Sequence, residues 1–139
     1  MRILANANDV TKNSFLNGRE IIAQDPRTGT VTYEAWWARG QQHREDGPAI
    51  IIRDGATGTV TREEWWKHSQ QHRDDGPAIT GRNAETGTVT YEHWWSHGQR
   101  HRDDGPAFIQ RDAVTGNVTY EEWWSDGKAI PRPVEAEAA

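Results

Sequence analysis

The sequence predicts an all-β fold, an elongated antiparallel meander of tandem 29-residue β-hairpin repeats that forms a solenoid-like single sheet. The first observation behind this prediction is repetition at a fixed period, which is typical of repeat architectures. The pentapeptide TGTVT begins at Thr28, Thr57 and Thr86, and its near copy TGNVT begins at Thr115, each 29 residues after the last. The second observation is period-two alternation within each copy, in runs rich in Thr, Val, Tyr and Trp, which indicates strands.

Each unit contains two runs that are typical of strands, and turn residues separate them. In the first copy the runs cover residues 31–37 and 49–53. An Asp-x-x-Thr-Gly segment before each long run predicts a hairpin turn, because Asp or Asn opens type I turns and Gly takes the left-handed bulge position. A second turn follows each tryptophan pair, at Arg39-Gly40, His97-Gly98 and Asp126-Gly127, with Ser69 as the exception. Whether residues 41–44 add a short third strand stays open at this point.

The repeats set the predicted domain boundaries. An N-terminal segment, 1–13, precedes a repeat domain over residues 14–128, and a C-terminal tail, 129–139, is expected to be disordered. The repeat domain divides into a half-repeat cap at 14–27, repeats at 28–56, 57–85 and 86–114, and a terminal partial repeat at 115–128. The cap keeps Gly18, Ile21 and Ile22 of the internal pattern, and Pro131 and Pro133 oppose further strand pairing.

Composition narrows the classes of function. A net charge of −5 argues against nucleic acid and anionic membranes as partners, because both bind clustered Lys and Arg. The chain has no cysteine, which excludes disulfides and thiolate metal sites. With no signal peptide and no apolar run long enough to span a membrane, we expect a cytoplasmic protein.

Four tryptophan pairs place one indole on each face of the predicted sheet, since adjacent strand residues point to opposite sides. Beside the first tryptophan of each pair, Thr and Glu recur in every copy; beside the second, the neighbours vary. Neighbours that are the same in every copy favour a packed face for the first tryptophans. Neighbours that vary favour a solvent-exposed face for the second tryptophans. The candidate binding residues are therefore Trp37, Trp66, Trp95, Trp124, Tyr33, Tyr91 and Tyr120. A single-layer sheet also leaves Ile50, Ile52, Ile79 and Phe108 in need of a cover, which self-association or a ligand would provide.

The His-Arg-x-Asp-Gly-Pro segment is the most reactive-looking motif, and its repetition favours a structural role. Its residues are His43, Arg44, Asp46, His72, Arg73, Asp75, His101, Arg102 and Asp104. Catalysis needs differently tuned groups that converge on one reacting atom, whereas these three sites have near-identical surroundings. We expect Asp to set the turn, Arg to pair with acids or stack on indoles, and His to pack on the neighbouring unit. A metal site is the alternative, although one His per loop would require ligands from several units.

The residues W-W-x-x-G-x-x-H-R-x-D-G-P-A, with the strand and turn that follow, resemble the MORN-like repeats, particularly a variant common in phage and bacterial reading frames. The resemblance covers about residues 14–128. It implies an elongated single-layer sheet of hairpins used for scaffolding, dimerisation and protein contacts, with no catalytic residues and with lipid binding proposed for some members. This chain departs from ordinary units in its 29-residue length and doubled tryptophan.

The leading hypothesis is a non-enzymatic scaffold for protein–protein binding or self-assembly, including a homodimer, without cofactor or metal. One alternative is a carbohydrate-binding module that uses the ladder of second tryptophans, because indole rings stack on sugars. Another is a phage-encoded inhibitor that binds a bacterial defence complex, which only the distribution of the resembling family motivates.

Overall fold

A computed structural model describes residues 17–133 of the chain. The predicted N-terminal segment, the start of the cap and residues 134–139 of the predicted tail lie outside the described residues. Residues 17–133 form strands and turns without a helix. The strands are β1 (Gly18–Gln24), β2 (Val31–Ala38), β3 (Gln41–Gln42), β4 (Ile50–Arg53), β5 (Val60–Glu64), β6 (Trp66–Lys67), β7 (Gln70–Gln71), β8 (Ile79–Arg82), β9 (Val89–His93), β10 (Trp95–Ser96), β11 (Gln99–Arg100), β12 (Phe108–Arg111), β13 (Val118–Ser125) and β14 (Lys128–Ile130).

Most of these strands form one antiparallel meander sheet, which confirms the predicted fold class. Its order is β1-β2-β4-β5-β8-β9-β12-β13-β14, and β3 pairs with the end of β2. Strands β6 and β7 form a separate two-stranded ribbon, as do β10 and β11. The first full unit adds a long strand, a two-residue strand at Gln41–Gln42 and a return strand, so a short third strand is present. In the next two units the long strand is interrupted at Trp65 and Trp94, and its last two residues pair with the short strand.

The turns have the predicted chemistry. At the turn before β5, the Asp54 carboxylate accepts hydrogen bonds from the backbone N–H groups of Ala56 and Thr57, which lowers the pKa of Asp54. Gly58 has a φ of +77°, and the register shifts by one residue at Arg53, as expected for a bulged hairpin. The second kind of turn has two consecutive left-handed residues, as in a type I′ hairpin.

The cap strand β1 corrects the sequence alignment by one position. When the cap sequence is matched to the first unit by the turns at Asp25 and Asp54, Ile22, not Ile21, takes the position of Ile51. In the sheet, Ile21 lies opposite Glu34, just as Ile51 does on the other side of β2. A bulge then leaves Ile22 42% exposed. Because a one-residue slip moves side chains to the opposite face, only this register buries Ile21.

The predicted tail begins later than expected. Lys128–Ile130 form β14 and pair with Trp123–Ser125, so Ala129 and Ile130 belong to the sheet. The left-handed turn at Asp126 and Gly127 directs the chain back along β13, where the backbone groups of both strands find partners.

The apolar residues that seemed to need a cover are largely buried within one copy. Ile50, Ile51, Ile79 and Ile109 are buried, while Ile52 and Phe108 are half-buried. Tryptophan, arginine and glutamate side chains flank these strands, and their apolar parts cover the sheet. Burial of the isoleucines therefore gives no reason for self-association.

Candidate functional site

One face of the sheet carries the first tryptophan of each pair and a row of glutamate–arginine pairs; we call it the ion-pair face. Glu34 accepts two hydrogen bonds from Arg19 of β1, at 3.2 and 2.9 Å, and one from Arg53 of β4 at 2.7 Å. The equivalent pairs in later units are Arg82–Glu63, Arg111–Glu92 and Arg132–Glu121. The invariant glutamates are thus explained by cross-strand ion pairs.

Glu34 is the best-enclosed acid of this row, with 3% of its surface exposed. Burial alone would raise its pKa, but the hydrogen bonds from Arg19 and Arg53 outweigh burial and lower the pKa to about 2. Glu34 therefore stays ionised and connects the cap strand to the first full unit.

The second structural element is the HR loop, the name used here for residues 43–48, 72–77 and 101–106. In the first loop, the Arg44 guanidinium lies 4.0 Å from the centroid of the Trp36 ring and donates to the Pro48 carbonyl at 3.2 Å. A Cβ on Gly47 would lie 2.9 Å from Arg44 Cζ, so the guanidinium would have to shift to admit a side chain there. The same arrangement recurs at Trp65, Arg73 and Gly76 and at Trp94, Arg102 and Gly105.

Each HR-loop histidine connects its unit to the next one. His43 Nδ1 accepts a hydrogen bond from the backbone N–H of His68 at 3.1 Å, and His43 Nε2 lies 2.6 Å from Glu45. His72 and His101 make the same pair of contacts one and two units later. The cap has no HR loop, and the Asn17 side chain takes over by accepting from Arg39 N–H at 2.8 Å.

The HR-loop aspartates differ from expectation. Asp46 is exposed, and its carboxylate accepts a 3.3 Å hydrogen bond from Arg44 Nε. Asp104 contacts Arg102 at the same distance, and Asp75 lies 3.5 Å from Arg73 Nε. The Asp46 and Asp104 carboxylates therefore hold the guanidinium that stacks on the indole, whereas the buried Arg73 Nε has no hydrogen-bond partner. The loops repeat side by side, so their histidines do not converge on one point.

The opposite face carries the second tryptophans and the tyrosines, and we call it the variable face. In three units the second indole donates its Nε1–H to a glutamate on this face: Trp37 to Glu20, Trp66 to Glu64 and Trp124 to Glu122. His93 replaces the glutamate in the third unit, and the buried Nε1 of Trp95 has no hydrogen-bond acceptor there. All eight tryptophans are half-buried, so neither ladder is fully open.

Residues that differ between copies meet two of the recurrent tyrosines, Tyr91 and Tyr120, in one place on the variable face, which we call the patch. The patch consists of Arg62, Gly81, Tyr91, His93, Arg100, Phe108, Gln110 and Tyr120. Tyr91 lies over Gly81, where an added Cβ would fall 2.0 Å from the ring, and its hydroxyl accepts a 2.7 Å hydrogen bond from Arg62. His93 stacks on Phe108 with ring centroids 4.5 Å apart.

Charge on the patch comes from arginine. Arg100 lies 5.7 Å from the Trp95 ring and 5.0 Å from the Trp124 ring. Burial lowers the pKa of His93, and the nearby Arg100 and Arg62 lower it further, so this imidazole is neutral at pH 7. Tyr120 is 48% exposed and gives the patch its most accessible aromatic ring.

The structure brings together some of the predicted binding residues and separates others. Tyr91, Tyr120, Trp95 and Trp124 lie in or beside the patch, whereas Tyr33 lies four strands from Tyr91 in the sheet order. Sequence reasoning missed Arg62, Gly81, His93 and Arg100, and it named Phe108 only as an apolar residue in need of a cover. The sequence did contain a pattern that could have predicted them. They differ from the residues at the same position in other copies, and the alternation of side chains along each strand puts most of them on one face.

Other features limit the chemistry of the described residues. Between residues 17 and 133, no group of three or more His, Asp or Glu is arranged to hold a metal ion. The same part of the chain has no helix long and apolar enough to cross a membrane. Comparison of the chain with protein-family models, curated proteins and solved structures found no match. The resemblance to MORN-like repeats therefore stays a prediction.

Proposed function

We propose that this protein is a non-enzymatic repeat scaffold that binds another protein through the patch on the variable face. The observation that carries the proposal is the segregation of the repeat. Residues of the ion-pair face recur from unit to unit, whereas the residues that depart from the repeat converge on the opposite face around Tyr91 and Phe108. Contacts that recur in every unit are explained by the fold. Residues that differ at one place in the repeat are not explained by the fold, which supports a binding role for them.

The composition of the patch supports a protein partner. Tyrosine, tryptophan and arginine are enriched among residues that dominate binding energy at protein interfaces. The Tyr91 hydroxyl is held by Arg62, and the Tyr120 hydroxyl donates to Glu122 at 2.6 Å. Side chains fixed before binding lose less conformational entropy when a partner arrives. A homodimer through the same patch is the self-assembly form of this proposal.

The carbohydrate hypothesis is supported less well. Stacking on a sugar needs an open indole face, but Arg100 lies over both Trp95 and Trp124. The Trp66 and Trp124 Nε1 groups already donate to glutamates. A phage-encoded inhibitor would be a special case of protein binding, with a bacterial defence complex as the partner.

Affinity capture with matched tyrosine variants tests the proposal. We expect Tyr91→Ala/Tyr120→Ala to lose a partner that the unsubstituted chain retains, while Tyr33→Ala, at the same repeat position outside the patch, keeps it. Circular dichroism verifies that each variant is folded, and sedimentation at several concentrations tests for a homodimer. Equal capture by all three chains, or binding of an oligosaccharide that depends on the patch, would contradict the proposal.

A further inference from the structure

The sheet has an incompletely paired edge at its C-terminal end. Strand β13 pairs with β12 on one side, while β14 covers only Trp123–Ser125 on the other. Among the described residues, no strand pairs with the outer edge of Val118–Glu122. Val118 is 47% exposed there, and Tyr120 is 48% exposed. Such a row of unpaired backbone groups is a template for another strand.

The interior of the molecule shows what this edge accepts. In the first unit, residues 33–35 occupy the equivalent place and pair with Ile50–Ile52, with Ile51 opposite Glu34. Arg53, two residues after Ile51, then donates to Glu34 at 2.7 Å. Each return strand follows this pattern: an apolar residue or Thr faces the glutamate, and an arginine two positions later binds it.

At the open edge, Glu121 is the equivalent glutamate. Arg132 lies 3.4 Å from it, and the Arg132 side chain is 49% exposed. In the interior, Arg111 approaches Glu92 to 2.8 Å and Arg82 approaches Glu63 to 3.6 Å. The Glu121 side chain is 25% exposed, so an incoming arginine can reach it in competition with Arg132.

We infer that the outer edge of β13 accepts an extended segment of another protein, in which an apolar residue or Thr is followed two positions later by Arg. A strand added in this way continues the sheet with backbone hydrogen bonds, and Glu121 selects the arginine. This site goes beyond the patch, because it recognises main chain and one charge at the sheet edge.

A second copy fits the edge less well. Its β1 would place Ile21 opposite Glu121, and Glu20 would then lie opposite Glu122. Like charges directly opposite each other destabilise a strand pair. The foreign segment is therefore the favoured occupant.

A peptide of residues 46–56 provides the probe, because it contains the β4 strand with Ile51 and Arg53. We expect this peptide to bind the full chain with a dissociation constant below about 1 mM and to slow amide hydrogen exchange at Val118–Glu122. Replacing Arg53→Glu in the peptide should weaken binding at least about tenfold, since it puts two carboxylates together.

A charge swap separates specific pairing from loss of structure. The Glu121→Arg variant should no longer bind the unmodified peptide and should bind the Arg53→Glu peptide instead. The Glu85→Arg variant has the same charge change in a distant turn, and its affinity for each peptide should equal that of the unsubstituted chain. No binding, or equal binding of both peptides, would overturn the inference. Peptide binding that is seen only after removal of residues 134–139 would identify the chain itself as the occupant of the edge. Protection of Val118–Glu122 from hydrogen exchange that grows with protein concentration would identify a second copy. Either result would also overturn the inference.

Discussion

At the scale of single residues, the glutamates of the two faces form two sets whose tasks overlap. Those of the ion-pair face accept arginine from a neighbouring strand, as Glu34 accepts Arg53, and Glu121 also accepts the Trp123 indole N–H. Those of the variable face accept the N–H of a second tryptophan, as Glu64 accepts Trp66, and Glu64 also binds Arg62. His93 interrupts the second set, and the buried Trp95 Nε1 loses its acceptor. A buried N–H donor without an acceptor is destabilising, so histidine at position 93, where other units have glutamate, lowers the stability of the third unit.

The variant His93→Glu should therefore make the protein more stable. A carboxylate at position 93 would accept the Trp95 N–H as Glu122 accepts that of Trp124, and we expect a gain of about 1 kcal/mol in urea denaturation. The same variant should weaken partner binding by removing the ring that stacks on Phe108. His93→Gln, which lacks the negative charge, serves as the control, and a loss of stability in both variants would contradict the explanation.

Acid should weaken the connection between the cap and the first unit. Because the folded-state pKa of Glu34 is lowered to about 2, its ion pairs contribute above the unfolded-state pKa and are lost as pH falls through the folded value. We expect roughly 3 kcal/mol of stability to disappear between about pH 4.5 and pH 2. Glu34→Gln should be less stable at pH 7 and show a shallower acid transition, whereas Glu85→Gln, in an exposed turn, should follow the unsubstituted chain. Parallel curves for all three proteins would refute this assignment.

At the scale of elements, the two-residue turns decide how the tryptophan-bearing strands end. Arg39-Gly40, His97-Gly98 and Asp126-Gly127 place glycine at the second left-handed position. The second unit has His68-Ser69, and Ser69 carries a φ of +64°. Side chains with Cβ are disfavoured in this region, which makes Ser69 the strained member of the set.

Replacing Ser69→Gly should relieve that strain. We expect an increase of about 1 kcal/mol in the free energy of unfolding, measured by thermal or urea denaturation. The reciprocal change Gly98→Ser, at the same place in the third unit, should cost a similar amount. If both substitutions shift stability in the same direction, the turn geometry is not the cause.

Much of the element structure is predictable from the sequence, and the rest depends on contacts between units. The Asp-x-x-Thr-Gly turns and the strand at residues 31–37 follow from local chemistry. The bulge that turns Ile22 outward does not, because the pairing of β1 with β2 sets the register and no local residue pattern marks it. The patch also escaped prediction, since its members come from strands β5 to β13 and only the sheet order brings them together.

At the scale of the whole molecule, the units connect through a small set of repeated contacts. The His43 side chain of the first HR loop and the Gln42 carbonyl of β3 accept hydrogen bonds from the turn at residues 68–69 of the next unit. The Thr28 hydroxyl similarly donates to the Gly55 carbonyl one unit later. No unit needs a partner beyond its immediate neighbours, as in other linear repeat proteins.

Removing one whole unit should therefore leave a folded protein. A chain without residues 57–85 joins equivalent positions, so we expect an unchanged circular dichroism spectrum per residue and a lower midpoint of unfolding. A chain without residues 57–84 keeps Glu85 as one extra residue in the turn that starts at Asp54, which breaks the bulged hairpin, so we expect it to be less stable than the first shortened chain. Equal midpoints of unfolding for the two shortened chains would show that the turn geometry matters less than this structure implies.

Because units contact only their neighbours, the protein should unfold in steps when it is stretched. Each HR-loop histidine accepts a hydrogen bond from one turn of the following unit, so the units form a series of similar links. In such a series every link carries the tension applied between the two ends, and the units should detach one at a time as single links fail. Each detached unit would release roughly 100 Å of extended chain, giving a staircase of nearly equal extensions in a single-molecule stretching record.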